Sequence, residues 1–212
     1  MELTLYSYWR SSSSWRVRIA LALKGLPYRY EAVALLPGDQ FSDAHTARNP
    51  MAQIPVLEVD GVPYTQSLAI CDLLDHLRPE PALLPADPMA RAKALALAEI
   101  VNAGIQPIQN LAVLKEVVRL VGPEAKLPWG KHWIELGLRA YERELERSAG
   151  TYSVGDQVSL ADVFLIPQLY NARRFGCDLA GLPRTLEIEG RCLALPAFMA
   201  AHPDRQPDAP NS

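Results

Sequence analysis

The sequence predicts an α/β domain followed by an all-α domain. Residues 1–80 alternate between strand-like and helix-like segments, whereas strand patterns fade in the second half of the chain. Between the halves, the stretch from Arg78 to Pro88 contains four prolines and is typical of a linker. We therefore expect domains at residues 1–80 and 88–212, joined by a linker at 81–87.

The first domain is predicted to have the element order β-α-β-(α)-β-β-α. Alternating apolar residues predict the strands, and Gly25 followed by Pro27 ends the first helix. Asp60-Gly61 between two strand patterns predicts a tight hairpin. Strands are expected at 3–8, 28–35, 55–60 and 62–66, and helices at 14–23, 37–49 (short or irregular) and 67–77, the last behind a cap by Ser67.

The second domain is predicted to be helical, with an alanine- and leucine-rich helical stretch at 90–120, helices at 131–148 and 159–174, and short helices from Pro183. Ser159 and Asp162 form a variant of the capping box at the start of the third of these helices. Trp129 and Trp133, four residues apart, are expected to pack within one helix. The proline-rich segment from His202 to Ser212 is expected to fray.

Composition excludes several classes of protein. The net charge of −3 argues against a non-specific nucleic-acid binder. Three scattered cysteines and four histidines without ligand spacing predict no disulfide framework and no metal site. The N-terminus lacks the apolar core of a signal peptide, and no apolar run approaches the length of a membrane span, so we expect an unexported, soluble, cytoplasmic protein.

The segment YWRSSSSWRVRIALALKG, from Tyr8 to Gly25, places four serines directly before a helix. The N-terminus of a helix exposes unpaired N–H groups and the positive end of the helix dipole. The hydroxyls of Ser11–Ser14 and the charges of Arg10, Arg16 and Arg18 would add to an anion site there. The residues alone leave a second interpretation open, in which a serine caps the helix and the arginines form a solvated basic face.

Two further loops share the features of the serine segment. Gln66 and Ser67 stand at another strand-to-helix junction, again with a hydroxyl at the start of a helix. Ile54-Pro55 places a proline at the start of a strand, where a cis bond is tolerated. Three loops at one end of a small sheet would each offer hydrogen-bond donors or exposed backbone.

The chain resembles the zeta class of glutathione transferases, which includes maleylacetoacetate isomerases. The resemblance spans nearly the whole chain, and the serine block and QPIQN are specific to that class. It is carried by YWRSSSSWRVRIALALKG, NPMAQIPVL (49–57), QSLAI (66–70), GIQPIQNLAVLK (104–115), VGDQVSLADVFLIPQ (154–168), ARRF (172–175) and the closing HPDRQPD.

The resemblance implies a thioredoxin-like N-terminal domain that binds glutathione, an all-helical domain that binds the substrate, and a homodimer. Ser11 would be the principal hydroxyl donor to the glutathione sulfur, with Ser12 second and Ser13 beside them. Hydrogen bonds to the thiolate favour the charged form and lower the pKa of the thiol. Gln66 and Ser67 would hold the γ-glutamyl end.

The resemblance also implies roles for five more residues. The backbone of Ile54 would pair with the cysteinyl segment of glutathione through a cis bond to Pro55, and Gln40 would reach the glycyl end. Gln106 and Asn110 would point toward the substrate, and Arg174 would bind a substrate carboxylate. The alternatives are that Gln106 bonds within its own helix, that Arg174 is a surface residue and that Ser67 only caps.

The activity implied is a glutathione-dependent isomerisation of maleylacetoacetate to fumarylacetoacetate by reversible thiolate addition, as in aromatic amino-acid breakdown. Arg174, with Arg10 or Arg16, would stabilise the negative charge that develops. Maleylpyruvate isomerisation, conjugation or dehalogenation of α-halo acids, and a non-catalytic interaction module are the alternatives. Ser13 stands where the class often has cysteine, and Ala112 where some relatives have serine.

Overall fold

The computed structural model describes residues 1–210. The chain divides into two compact units. The first contains Met1–Leu83 together with the segment from Ala194 onward, and the second is Leu84–Leu193. The expected domains at 1–80 and 88–212 differ from this division mainly in the C-terminal segment, which packs on the first unit.

The first unit contains a four-stranded sheet with strand order β2-β1-β3-β4. β1 runs parallel to β2 and antiparallel to β3, and β3 pairs antiparallel with β4. Asp60 (φ 50°) and Gly61 (φ 82°) form the tight turn between β3 and β4, which confirms the hairpin predicted from this dipeptide. The elements are β1 (Leu3–Ser7), α1 (Ser12–Leu23), β2 (Arg29–Ala32), a 3-10 helix (Asp39–Phe41), α2 (Asp43–Arg48), β3 (Val56–Val59), β4 (Val62–Thr65) and α3 (Ser67–Leu77).

The core of the first unit lies between the sheet and the packed pair of helices α1 and α3. Its fully buried side chains include Leu5, Ile19, Leu57, Ile70 and Leu74. Because α1 is covered on nearly every side, both of its arginines are buried along with its apolar residues. The N-terminal end of α1 remains at the edge of this core.

The C-terminal segment is ordered against the first unit as far as residue 210, so the expectation that it frays is wrong for this part. α9 (Pro196–Ala200) packs on α1, and a 3-10 helix (Pro203–Arg205) follows. Pro203, Gln206 and Ala209 are buried. The remaining residues of the predicted frayed tail, 211 and 212, lie outside the described residues.

The second unit is a helical bundle in which helix α7 (Leu160–Arg174) is buried over almost its whole length. Its N-terminus carries the predicted capping box between Ser159 and Asp162. The alanine- and leucine-rich stretch at 90–120 forms parts of two helices, because residues 103–110 form turns where Gly104 and Pro107 interrupt it. The helices are α4 (Pro88–Asn102), α5 (Leu111–Val121), a 3-10 helix (Pro123–Ala125), α6 (Lys126–Ser148), α7 (Leu160–Arg174) and α8 (Pro183–Leu193).

Trp129 and Trp133 both lie in α6 with ring centroids 6.0 Å apart, as the prediction of packing within one helix requires. Among residues 1–210, no helix has the length and apolar character needed to cross a membrane.

Candidate active site

The N-terminus of α1 presents an unusual number of hydrogen-bond donors. Ser11 is the N-cap, and its Oγ accepts a hydrogen bond from the Ser14 N–H at 3.2 Å. Because a hydroxyl both accepts and donates, the Ser11 O–H remains able to donate. The N–H groups of Ser12 and Ser13 are the first two of the helix and have no intrahelical acceptor. The two interpretations of the serines are therefore compatible, since Ser11 caps the helix and still offers a donor.

The loop before Ser11 is held by Arg18, which corrects the expectation that this arginine adds charge to an anion site. Arg18 is fully buried and donates to the carbonyl oxygens of Tyr8 (3.3 Å) and Trp9 (2.9 Å) and to Ser7 Oγ (3.1 Å). Burial lowers the pKa of Arg18 to about 10. Its role is to satisfy the carbonyls of the loop, and the solvated basic face is wrong for this residue.

Arg10 and Arg16 differ from each other in their surroundings. The guanidinium of Arg10 lies 5.2 Å from the centroid of the Trp9 ring and is partly exposed. Arg16 is 1% exposed, and its Nη1 donates to Ser67 Oγ at 3.1 Å. The positive charge of Arg16 therefore lies beneath the start of α3.

The N-terminus of α3 is a second group of donors. Its N-cap is Gln66 and not Ser67, so the predicted serine cap is wrong; Ser67 is the first helical residue and is buried. The Gln66 side chain makes no capping hydrogen bond, which leaves the first N–H groups of α3 open to an anion. Gln66 also has φ 68° and ψ 113°, a conformation that is strained for a residue with a side chain.

The Ile54-Pro55 peptide bond is cis, as predicted. The preceding residue, Gln53, is fixed through its carbonyl oxygen, which accepts from Asn49 Nδ2 at 2.8 Å and lies 3.0 Å from His45 Nε2. Within residues 1–210, no hydrogen bond joins the main-chain N–H or C=O of Ile54 to another group. The backbone of Ile54 is therefore held in place and free to pair with a peptide ligand.

Gln40 lies in the 3-10 helix after β2 and is 6% exposed. Its Nε2 donates to the carbonyl oxygen of Leu35 at 3.5 Å. In the described part of the chain, its buried Oε1 has no hydrogen-bond partner. A buried acceptor without a donor costs free energy, and an N–H group on a ligand would offset that cost.

The three predicted site residues of the helical unit occupy different kinds of position. Gln106 lies in the turn between α4 and α5, so the alternative of a bond within its own helix is wrong. Asn110 is the N-cap of α5, and its Oδ1 accepts from the Ala112 N–H at 3.4 Å. Arg174 is the last residue of α7 and is exposed, with Nη1 donating to Asn171 Oδ1 at 3.3 Å. A guanidinium carries a fixed positive charge and several N–H donors, which suits an anionic ligand.

Sequence reasoning overlooked one residue near the serines. Asp208 Oδ2 accepts from the Trp9 N–H at 2.9 Å, two residues before Ser11. The two residues are 199 positions apart in the chain, and no local pattern could have connected them.

Comparisons with known proteins identify the family of the chain. Residues 10–77 match the family model described as glutathione S-transferase, N-terminal domain. Maleylacetoacetate isomerase of Rattus norvegicus is 50% identical over 208 residues, which cover 97% of this chain and 94% of that protein. The chain belongs to the glutathione S-transferase family.

Two solved structures indicate the class within this family. Maleylacetoacetate isomerase of Anaeromyxobacter dehalogenans with bound glutathione is 54% identical, with a TM-score of 0.91 and coverage of 99% of this chain and 98% of that one. A maleyl pyruvate isomerase described as a zeta-class bacterial glutathione S-transferase is 42% identical, with a TM-score of 0.94 and coverage of 97% and 99%. The predicted zeta class and glutathione transferase fold are confirmed.

The residues of the first unit fit glutathione, the cofactor of this family. The N-terminus of α1, with its serine hydroxyls, suits a thiolate. The N-terminus of α3, which has no side-chain cap and lies above Arg16, suits the γ-glutamyl carboxylate. The free backbone of Ile54 suits an extended cysteinyl residue, and the unpaired Oε1 of Gln40 suits the glycyl N–H. The described residues contain no cluster of His, Cys, Asp or Glu that could hold a metal ion.

The strained backbone of Gln66 leads to a testable prediction. Glycine adopts positive φ at little cost, so Gln66→Gly is expected to raise the free energy of unfolding by about 1 kcal/mol. The same change removes a side chain proposed to hold the γ-glutamyl end, so KM for glutathione should rise. Urea unfolding and steady-state kinetics on one preparation measure both effects. Lower stability together with an unchanged KM would contradict both arguments.

Proposed function

We propose that the protein is a glutathione-dependent cis–trans isomerase that converts maleylacetoacetate to fumarylacetoacetate. The observation that carries the proposal is the set of hydrogen-bond donors at the N-terminus of α1. Ser11 caps the helix and keeps its O–H to donate, and the N–H groups of Ser12 and Ser13 beside it are free. This donor set stabilises a thiolate that the chain itself does not supply. The 50% identity to a maleylacetoacetate isomerase over nearly the whole chain supports the choice of reaction.

Bound glutathione would supply a thiolate that adds reversibly to the cis double bond, so that rotation about the resulting single bond becomes possible. Ser11 O–H donates to the sulfur and lowers the pKa of the thiol, with Ser12 as the second donor and Ser13 beside them. Gln66 and Ser67 hold the γ-glutamyl end over the charge of Arg16. The backbone of Ile54 fixes the cysteinyl residue, and Gln40 binds the glycyl end.

The helical unit would bind the unsaturated substrate. Arg174 would pair with a substrate carboxylate, because its guanidinium is exposed and its planar N–H groups match the two oxygens of a carboxylate. Gln106, in the turn after α4, and Asn110, at the start of α5, would contact the substrate as uncharged donors. The structure of the Anaeromyxobacter dehalogenans isomerase with dicarboxyethyl glutathione and citrate in its active site supports a preference for dicarboxylates.

Maleylpyruvate is the second candidate substrate, since the maleyl pyruvate isomerase has a TM-score of 0.94 to this chain. Parallel assays with maleylacetoacetate, maleylpyruvate and dichloroacetate would separate the isomerases from a dehalogenating transferase. Each assay is run with and without glutathione. We expect the highest kcat/KM with maleylacetoacetate and no turnover without glutathione; turnover that does not need glutathione would refute the proposal.

Arg174→Ala is expected to raise KM for the maleyl substrate about tenfold or more and to leave KM for glutathione unchanged. Arg173→Ala is the matched control, because the neighbouring Arg173 is engaged with Glu189 through both of its terminal nitrogens at 2.5 Å. The control should lower stability without a comparable change in KM. Equal KM effects in the two variants would remove Arg174 from the substrate site.

We also infer a homodimer and a cytoplasmic location, because both are properties of the zeta class that this chain resembles. Sedimentation analysis of the purified protein measures the first, and fractionation of the source cells measures the second. A monomer at enzyme-assay concentrations, or recovery outside the cytoplasmic fraction, would contradict the respective inference.

A further inference from the structure

We propose that Asp208, in the C-terminal segment, is a positioning residue that holds the Ser11 hydroxyl in place for the glutathione sulfur. The link is the main chain of Trp9, two residues before Ser11. The inference rests on the proposed function, since it assigns Asp208 a part in stabilising the thiolate. Asp208 would act through its contact to the loop.

The loop between β1 and α1 is held from two directions. Arg18 Nη2 donates to the Trp9 carbonyl oxygen at 2.9 Å, and Asp208 Oδ2 accepts from the Trp9 N–H at 2.9 Å. Ser11 N–H in turn donates to the Tyr8 carbonyl oxygen at 3.0 Å. Both main-chain polar groups of Trp9 are therefore fixed by side chains, and Trp9 lies inside the turn from Tyr8 to Ser11.

Asp208 has a second partner that fixes the direction of its carboxylate. Oδ1 accepts from the Tyr30 hydroxyl, in β2, at 2.7 Å. The two carboxylate oxygens thus bond to different segments: Oδ1 accepts from β2 and Oδ2 accepts from the loop at Trp9. The Tyr30 contact offers a control, because its loss leaves the Trp9 contact in place.

The segment that carries Asp208 is itself anchored on the first unit. Within the segment, Gln206 Nε2 donates to the carbonyl oxygens of Ala200 (3.1 Å) and His202 (2.8 Å), which holds the turns of the segment together. Arg18 Nε donates to the carbonyl oxygen of Ala201 at 3.2 Å, so one arginine bonds to both the serine loop and the C-terminal segment. The imidazole of His202 packs edge-on against Trp15 of α1. Asp208 is therefore a rigid support.

The charge of Asp208 and its hydrogen bond to Trp9 have opposite effects on the pKa of the bound thiol. A nearby negative charge disfavours a thiolate, so the loss of this charge alone would lower the pKa of the bound thiol. The loss of the Trp9 contact would displace Ser11 and raise that pKa. The sign of the change therefore separates positioning from simple electrostatics.

Three variants test the proposal. Asp208→Ala removes both contacts, whereas Asp208→Asn keeps an oxygen for the Trp9 N–H and places its amide N–H groups toward the Tyr30 hydroxyl, which can accept. Tyr30→Phe keeps the Asp208 carboxylate and its contact to Trp9. The measurements are ultraviolet titration of the thiolate in the glutathione complex, amide hydrogen exchange at Trp9 and Ser11 without glutathione, thermal unfolding, and kcat and KM.

For Asp208→Ala we expect the pKa of the bound thiol to rise by about one pH unit, kcat to fall about tenfold and amide exchange at Trp9 and Ser11 to accelerate. Asp208→Asn should restore slow exchange and a low thiol pKa, and Tyr30→Phe should lower stability without moving the thiol pKa. A thiol pKa that is unchanged or lower in Asp208→Ala would overturn the proposal, even if that variant is less stable.

Ser11→Ala separates this inference from the proposed function. If Ser11→Ala raises the thiol pKa and Asp208→Ala does not, the inference about Asp208 fails and the proposed function stands. If the wild-type complex itself shows no lowered thiol pKa, the proposed function fails. Amide exchange still reports in that case whether Asp208 orders the loop.

Discussion

Ser11→Ala is expected to lower kcat/KM for the isomerisation by about 100-fold to 1,000-fold, the usual effect of removing one donor aimed at a developing or fixed negative charge. The Ser11 Oγ caps α1 by accepting from the Ser14 N–H and keeps its hydrogen for the sulfur. The substitution removes that donor, so a larger fraction of bound glutathione stays protonated at neutral pH. Ultraviolet titration of the thiolate and steady-state kinetics measure the two effects.

The same substitution also removes a helix cap, which costs about 1 kcal/mol of stability. Asp87→Ala is the matched control, because Asp87 caps α4 in the same way, with Oδ2 accepting from the Ala90 N–H at 2.8 Å, and lies outside the site. The control should lose similar stability and retain its kcat/KM. If Ser11→Ala keeps both a low thiol pKa and its activity, the principal donor is not Ser11, and Ser12 takes its place.

The parts of the fold that local chemistry determines could be predicted from the sequence. Asp60-Gly61 predicts the hairpin because few residue pairs accept positive φ at both central positions of a two-residue turn. Ser159 and Asp162 predict the start of α7 because both partners of a capping box lie within one turn. Ser11, Gln66 and Ile54 are predicted as site residues because each stands at a junction between elements, where donors and backbone are left unpaired.

The parts that depend on distant contacts could not be predicted. Two arginines in a short helix are usually exposed, yet Arg16 and Arg18 are buried and bond to partners from distant parts of the chain, Arg16 to Ser67 Oγ and Arg18 to the Ala201 carbonyl oxygen. The C-terminal segment was expected to fray on its proline content, but Asp208 accepts from the Trp9 N–H and the Ala201 carbonyl oxygen accepts from Arg18, which binds the segment to the rest of the first unit.

The start of α3 shows how tertiary structure overrides a local preference. Serine is a better N-cap than glutamine, and the sequence therefore favoured Ser67. In the structure Ser67 is turned inward to accept from Arg16, and Gln66 takes the cap position with a strained φ. A strained residue without a capping bond is more costly than a serine cap, and such costs are typical of functional sites.

Asp162→Ala is expected to lower the free energy of unfolding by about 3–5 kcal/mol, the largest stability effect that we infer for a single side chain. The Asp162 carboxylate is fully buried and accepts from the backbone N–H groups of Ser153 (2.9 Å) and Ser159 (2.8 Å). Burial raises the pKa of Asp162 and these hydrogen bonds oppose the rise. Alanine would leave two buried N–H groups without acceptors, at about 1–3 kcal/mol each. Urea unfolding at neutral pH measures the loss.

Asp156→Ala is the matched control for this prediction. Asp156 Oδ1 accepts from the Thr151 N–H at 2.9 Å and its hydroxyl at 2.7 Å in the same loop before α7, but this carboxylate is exposed. Water replaces its hydrogen bonds when it is removed, so Asp156→Ala should lose far less stability. Asp162→Asn, which keeps one acceptor oxygen, should fall between the two. If Asp156→Ala and Asp162→Ala lower the free energy of unfolding equally, the stabilisation by Asp162 does not come from satisfying buried N–H groups. The capping box then contributes no more than an ordinary surface cap.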